Sequence, residues 1–118
     1  MAKEPLPLLL HIQDAINLIT AYIEDYTFDQ FKADRKTLDA VIRELEIIGE
    51  AAGKLENDFK ESYPSIPWRV ITDFRNVLAH EYWDIDIEIV WKAATIEIKE
   101  LKATLLPIIE SLETKSKS

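Results

Sequence analysis

Apolar residues recur along most of this chain at alternating steps of three and four, the repeat that lines one face of an α-helix. From about Leu8 to Tyr26 they are Leu9, Ile12, Ile16, Ile19 and Ile23, which predicts a first amphipathic helix. The period is lost from Thr27 to Asp34, a predicted short connector whose closing Asp34 can cap the next helix by accepting from its free amides. A second stripe, Leu38, Val41, Leu45, Ile48, Ala52, Leu55 and Phe59, holds register to about Lys60. It predicts a helix of about 26 residues and about 39 Å as the spine of the domain. The only two glycines, Gly49 and Gly53, lie four apart inside it. Each costs a helix interior about 1 kcal/mol against Ala, so a neighbouring helix is expected to approach that face closely.

Pro64 and Pro67, which lack amide donors, break the helix. Ser65 is the expected cap of a third helix, with Pro67 in its first turn and Trp68, Ile71, Phe74 and Leu78 on its apolar side. After Tyr82 the run Trp83-Asp84-Ile85-Asp86 reads as a turn with two capping aspartates. A last stripe follows through Ile87, Val90, Trp91, Ala94, Ile98, Leu101, Leu105, Ile108 and Leu112. It keeps register across Pro107, which predicts a kinked helix in preference to two helices, with a frayed tail from about Thr114. There is no alternating strand, hairpin dipeptide or internal repeat. The fold expected over residues 1–118 is a single all-α domain, an antiparallel bundle of four or five helices.

Composition narrows the chemistry. With 47% apolar and 31% charged residues among 118, the chain can fill one core. Cysteine is absent, which excludes disulfides, thiolate zinc sites and a cysteine nucleophile. The formal charge of −8 opposes non-specific attraction to phosphate backbones, so any nucleic-acid chemistry must be local. No apolar run reaches the length of a membrane span, and Glu4 beside Lys3 makes a poor signal peptide, so the expected setting is the cytoplasm, away from membranes. No Gly-rich phosphate loop or serine elbow is present. No metal site is expected, since His11, His80 and the carboxylates follow no ligand spacing and Asp84, Asp86 and Glu88 lack a calcium loop's turn glycine. His11 reads as a surface or capping residue, and Trp68 and Trp91 as core.

The segment Arg75-Asn76-Val77-Leu78-Ala79-His80-Glu81-Tyr82 gathers a guanidinium, a carboxamide, an imidazole and a phenol within eight residues. Arginine binds phosphate oxygens in two-pronged fashion, and histidine can take a proton from a ribose 2′-hydroxyl or give one to a leaving oxygen. Asn76, one helical turn before His80, could orient the imidazole or donate to phosphate. The plainer reading pairs Arg75 with Asp73 or Glu81 and lets His80 and Tyr82 end the helix. On a straight helix Arg75 and His80 stand about 140° apart, so they converge only if the helix ends near His80 or two chains share a groove about a twofold axis.

The Arg-x4-His-x-Tyr arrangement of Arg75, His80 and Tyr82 resembles the signature of HEPN domains. Ile47-Ile48-Gly49-Glu50-Ala51-Ala52, Tyr63-Pro64-x-Ile66-Pro67-Trp68 and Asp86-x-Glu88-Ile89-Val90-Trp91 resemble the HepT-like branch. The resemblance covers nearly the whole chain, with no departure at Arg75, Asn76, His80 or Tyr82. It implies an all-α, homodimeric, metal-independent endoribonuclease, the toxin subunit of a type VII toxin-antitoxin module. Arg75 and His80 would carry RNA cleavage with Asn76 in support. The implied partner is a minimal nucleotidyltransferase antitoxin that uses ATP to place AMP on Tyr82, while the toxin itself needs no cofactor. The rival reading is a non-catalytic helical subunit that presents nucleotide or substrate to a nucleotidyltransferase.

Overall fold

The computed structural model describes residues 4–77 and 85–117, with the side chains at 76, 77, 116 and 117 excepted. These residues form helices α1 (Pro5–Tyr22), α2 (Phe28–Ala33), α3 (Arg35–Lys54), α4 (Asn57–Glu61), α5 (Trp68–Val77), α6 (Ile87–Lys92) and α7 (Ile98–Lys117). A π-helical turn, Ala93–Glu97, joins α6 to α7. No strand occurs among the described residues, as the periodicity predicts.

Several boundaries differ from those read off the stripes, each for a local reason. α1 opens at Pro5, ahead of Leu8, because Pro5 and Pro7 fall in the first turn, where a missing amide costs little. It stops at Tyr22, short of Tyr26, and Asp25 then takes φ 64°, a left-handed conformation that aspartate tolerates. The predicted connector contains a helix, α2. Thr27 and Gln30 form a reciprocal capping box, the Gln30 amide donating to Thr27 Oγ1 at 3.2 Å and the Thr27 amide to Gln30 Oε1 at 2.9 Å. Buried Phe31 fixes α2 against Trp91, with ring centroids 5.0 Å apart.

The predicted spine is shorter than its stripe. Leu55 is extended, at φ −66° and ψ 141°, so α3 ends at Lys54 and α4 begins after a break. The apolar register survives because it records burial: Leu55 is buried, and Phe59 packs on Tyr63 and Trp68. Trp68 Nε1 donates to the carbonyls of Lys60 and Tyr63, both at 3.1 Å, which ties the entry of α5 to α4. α5 opens directly after Pro67, whose carbonyl accepts from the Ile71 amide at 3.1 Å. Ser65 therefore stands too early to be its cap. Asp86 does cap α6, accepting from the amides of Glu88 at 3.0 Å and Ile89 at 3.4 Å. Leu78, Trp83 and Asp84 lie outside the described residues. α7 runs through Pro107 as one helix and reaches Lys117, across the stretch where fraying is predicted.

α1 and α3 form the central pair, α7 lies along α1, and α5 lies along α3. Their seam is built from fully buried Leu9, Ile12, Ile16 and Ile19 of α1, Val41 and Ile48 of α3, and Ile98 of α7. The long α6–α7 rod makes the molecule elongated, 48 × 28 × 22 Å. Between α5 and this rod an apolar groove of about 240 Å³ is lined by Leu45, Val70, Phe74, Ile89, Val90 and Ala93, with Asp73 and Glu97 at its edges. α5 approaches α3 at buried Gly49, as the glycine spacing predicts. A methyl group there would lie 3.0 Å from the Arg75 amide nitrogen and 3.2 Å from the Thr72 carbonyl oxygen.

Two stability predictions follow from these contacts. Asp34 accepts from Tyr26 Oη at 2.6 Å, from Thr37 Oγ1 at 2.7 Å and from the Thr37 amide at 3.1 Å. The Tyr26 hydrogen bond, then those of Thr37, hold its carboxyl at about 2 against an ordinary 3.8. A carboxylate lowered by folding adds stability above its unfolded pKa and loses it as the pH falls through its folded one. Thermal melts should show Asp34→Asn less stable than the wild type near neutral pH, with the gap closing between pH 3.8 and about 2. A gap that stayed constant through that window would refute the charge-based account. Gly49→Ala gains up to about 1 kcal/mol of helix propensity. It crowds the α5 backbone at 3.0 and 3.2 Å, so urea denaturation should show a net loss of about 1–2 kcal/mol. A more stable Gly49→Ala protein would mean that α5 shifts outward freely.

Candidate active site

The apolar side of α5, with Trp68 and Ile71 buried and Phe74 half-buried, sets the rotation of the helix on the core. That rotation turns Thr72 and Arg75, three residues apart, toward the glycine face of α3. At buried Gly49, a methyl group would be 3.3 Å from Arg75 Cβ. One turn along α3, at exposed Gly53, it would be 3.2 Å from Arg75 Nη1, 3.6 Å from Cζ and 3.6 Å from Thr72 Cγ2. The Arg75 side chain thus runs from one glycine to the other, its stem against the first and its guanidinium over the second.

This path ends over the last turn of α3, where the helix dipole and the free carbonyl groups favour a cation. Arg75 is nonetheless exposed, so its outer N–H groups stay within reach of a ligand. Among the described residues no carboxylate forms an ion pair with it, and the plain pairing with Asp73 is not made. A planar guanidinium, backed on one side by α3 and open on the other, suits two-pronged binding of a phosphate.

The other residues of the motif are placed less fully. Asn76 follows Arg75 within α5, its side chain outside the described set; His80, Glu81 and Tyr82 lie outside the described residues altogether. His11 is exposed on α1, and Trp91 is half-buried against Phe28 and Phe31. Among the described residues no group of three His, Asp or Glu side chains could hold a metal ion. Sequence reasoning overlooked that the glycine pair and Arg75 belong to one arrangement. The spacing of the glycines announces a close neighbour, but nothing along the chain pairs position 53 with position 75.

The family model described as "Ribonuclease HepT-like" matches residues 12–108. "Probable ribonuclease HepT" of Thermococcus cleftensis is 44% identical over 77% of this chain and 83% of its own length. Two proteins of Methanocaldococcus jannaschii are also similar. "Putative RNase MJ0127" is 36% identical over 94% of this chain and 92% of its own length. "Gamma-glutamylcyclotransferase and putative RNase MJ0434" is 38% identical over 96% of this chain but only 51% of its own length. No solved structure matches the chain.

Proposed function

The chain belongs to the HepT-like ribonuclease family, and from that premise we propose that it is the metal-independent endoribonuclease toxin of a toxin-antitoxin pair. The observation that carries the reading is the Arg75 guanidinium, exposed, free of ion pairs among the described residues and seated on the glycine face of α3. In a chain of net charge −8 it supplies a local point of attraction for phosphate.

Arg75 holds the non-bridging oxygens of the scissile phosphate. His80 takes the proton of the ribose 2′-hydroxyl, whose oxygen attacks phosphorus and expels the 5′-oxygen. The expelled oxygen takes a proton from the protonated His80 of the second chain or from water, and a 2′,3′-cyclic phosphate remains. Asn76 supports the imidazole or the phosphate.

The reading includes a homodimer. Carried on a straight helix Arg75 and His80 would stand about 140° apart, and a second chain would bring both motifs to one groove. Support comes from the apolar groove beside α5, where Val70 and Ile89 remain 50% and 52% exposed. The antitoxin partner is a minimal nucleotidyltransferase that transfers AMP from ATP to the Tyr82 oxygen. Each AMP brings phosphate charge and bulk to a groove that must admit RNA phosphate. No described helix is long and apolar enough to cross a membrane.

The unmodified protein should cleave RNA in the presence of EDTA and leave 2′,3′-cyclic phosphate ends. His80→Ala should lose at least about 10²-fold in rate, the usual effect of removing a general acid or base. Undiminished cleavage by His80→Ala would overturn the assignment, and an inactive unmodified wild type would favour the non-catalytic subunit. Incubation with the cognate nucleotidyltransferase, ATP and magnesium should add AMP to the wild type and silence it. Tyr82→Phe should stay active and unmodified by intact mass, and equal AMP addition to both proteins would rule Tyr82 out as the acceptor.

A further inference from the structure

We infer that Gly53 is a positioning residue for Arg75: the bare backbone at 53 is the seat on which the guanidinium rests, and any side chain there lifts it from its working position. The inference rests on the reading of Arg75 as the phosphate-binding group.

The usual reasons for a helical glycine do not apply at this position. Gly53 does not adopt a positive φ, so it is not the left-handed glycine that closes many helices. It is exposed and lies within α3, one residue before its end. Nor does helix packing require it. A methyl group at Gly49 would strike the α5 backbone at 3.0 and 3.2 Å, whereas at Gly53 the nearest neighbours are the end of the Arg75 side chain and, at an ordinary 3.6 Å, the Thr72 methyl. Among the described residues the guanidinium is therefore the group that a β-carbon at 53 displaces, by a few tenths of an ångström for Ala and further for a longer side chain.

Fold and site should consequently respond in opposite directions. Alanine is a better helix former than glycine and reduces the freedom of the unfolded chain, so Gly53→Ala should unfold at a higher temperature than the wild type. Reaction rates fall steeply when a binding group is misplaced, about 10²-fold for 1 Å. Gly53→Ala should therefore lose roughly 2- to 10-fold in kcat/KM for RNA, and Gly53→Leu should approach the loss caused by Arg75→Ala. A residue acting only through stability could not lower activity while raising the melting temperature.

The test is a double-mutant cycle on the purified, unmodified protein, with melting temperature, kcat/KM and affinity for a 2′-deoxy-substituted, uncleavable RNA measured for each variant. Arg75→Ala should weaken binding of that RNA by about tenfold or more, as loss of a charged hydrogen bond does. Gly53→Leu should reproduce most of this loss, and adding it to Arg75→Ala should cost nothing further. Full binding and cleavage by a folded Gly53→Leu protein, beside a defective Arg75→Ala, would overturn the positioning role and leave the reading of Arg75 standing. Equal losses from Gly53→Leu in the presence and absence of the Arg75 side chain would overturn it as well. If Arg75→Ala were itself unimpaired in both assays, the reading of Arg75 would fall, and the role of Gly53 with it.

Discussion

The contact of α5 with the glycine face of α3 is the constraint on which the site depends. At Gly49 the two backbones meet so closely that a β-carbon would stand 3.0 Å from the Arg75 amide nitrogen and 3.2 Å from the Thr72 carbonyl oxygen, so the bare glycine sets a short distance between the helices. Arg75 leaves α5 at that point of contact, so its side chain starts from a position defined by helix packing. The path to Gly53 then brings the charge over the carboxyl-terminal turn of α3. Without the first glycine α5 would stand further out, and the guanidinium would lose its support.

Such a contact needs a rigid platform, and the α1–α3 pair supplies it. Their shared core consists of aliphatic side chains with no buried polar or charged residue among the described ones, so its stability owes little to electrostatics. Polar groups work at the helix ends. Asp34 starts α3, the Thr27–Gln30 box starts α2 and Asp86 starts α6, each satisfying amides that a helix leaves free. The Trp68 indole adds a hydrogen-bonded link between the α4 segment and α5. That link ties the start of α5 to the α4 segment, while buried Trp68 and Ile71 turn the helix on the core.

On its other side α5 is less tightly held. The α6–α7 rod, with its π-helical turn, leaves an apolar groove along α5, so the helix that carries Arg75 has one face on the core and one partly open. The acidic surplus of the chain opposes non-specific attraction to phosphate, so any phosphate binding has to be local.

By itself the sequence determined the all-α class, the stripes that α1 and α3 bury, and the capping roles of Asp34 and Asp86, but not the buried Phe31 of α2. These depend on periodicity and on short-range hydrogen bonds between residues within a few positions of one another. The same local character explains the misplaced boundaries. The stripe through Leu55 and Phe59 records burial and is blind to a break in the backbone, while the helix at 28–33 was betrayed only by the Thr27–Gln30 pair. The motif residues Arg75, Asn76, His80 and Tyr82 stood out by chemical type, and the glycines by their cost to a helix. That the glycines and the arginine belong together was decided by tertiary structure alone. Periodicity says which face of a helix is covered but not by what, and only the packing of α5 on α3 joins positions 49 and 53 to 75.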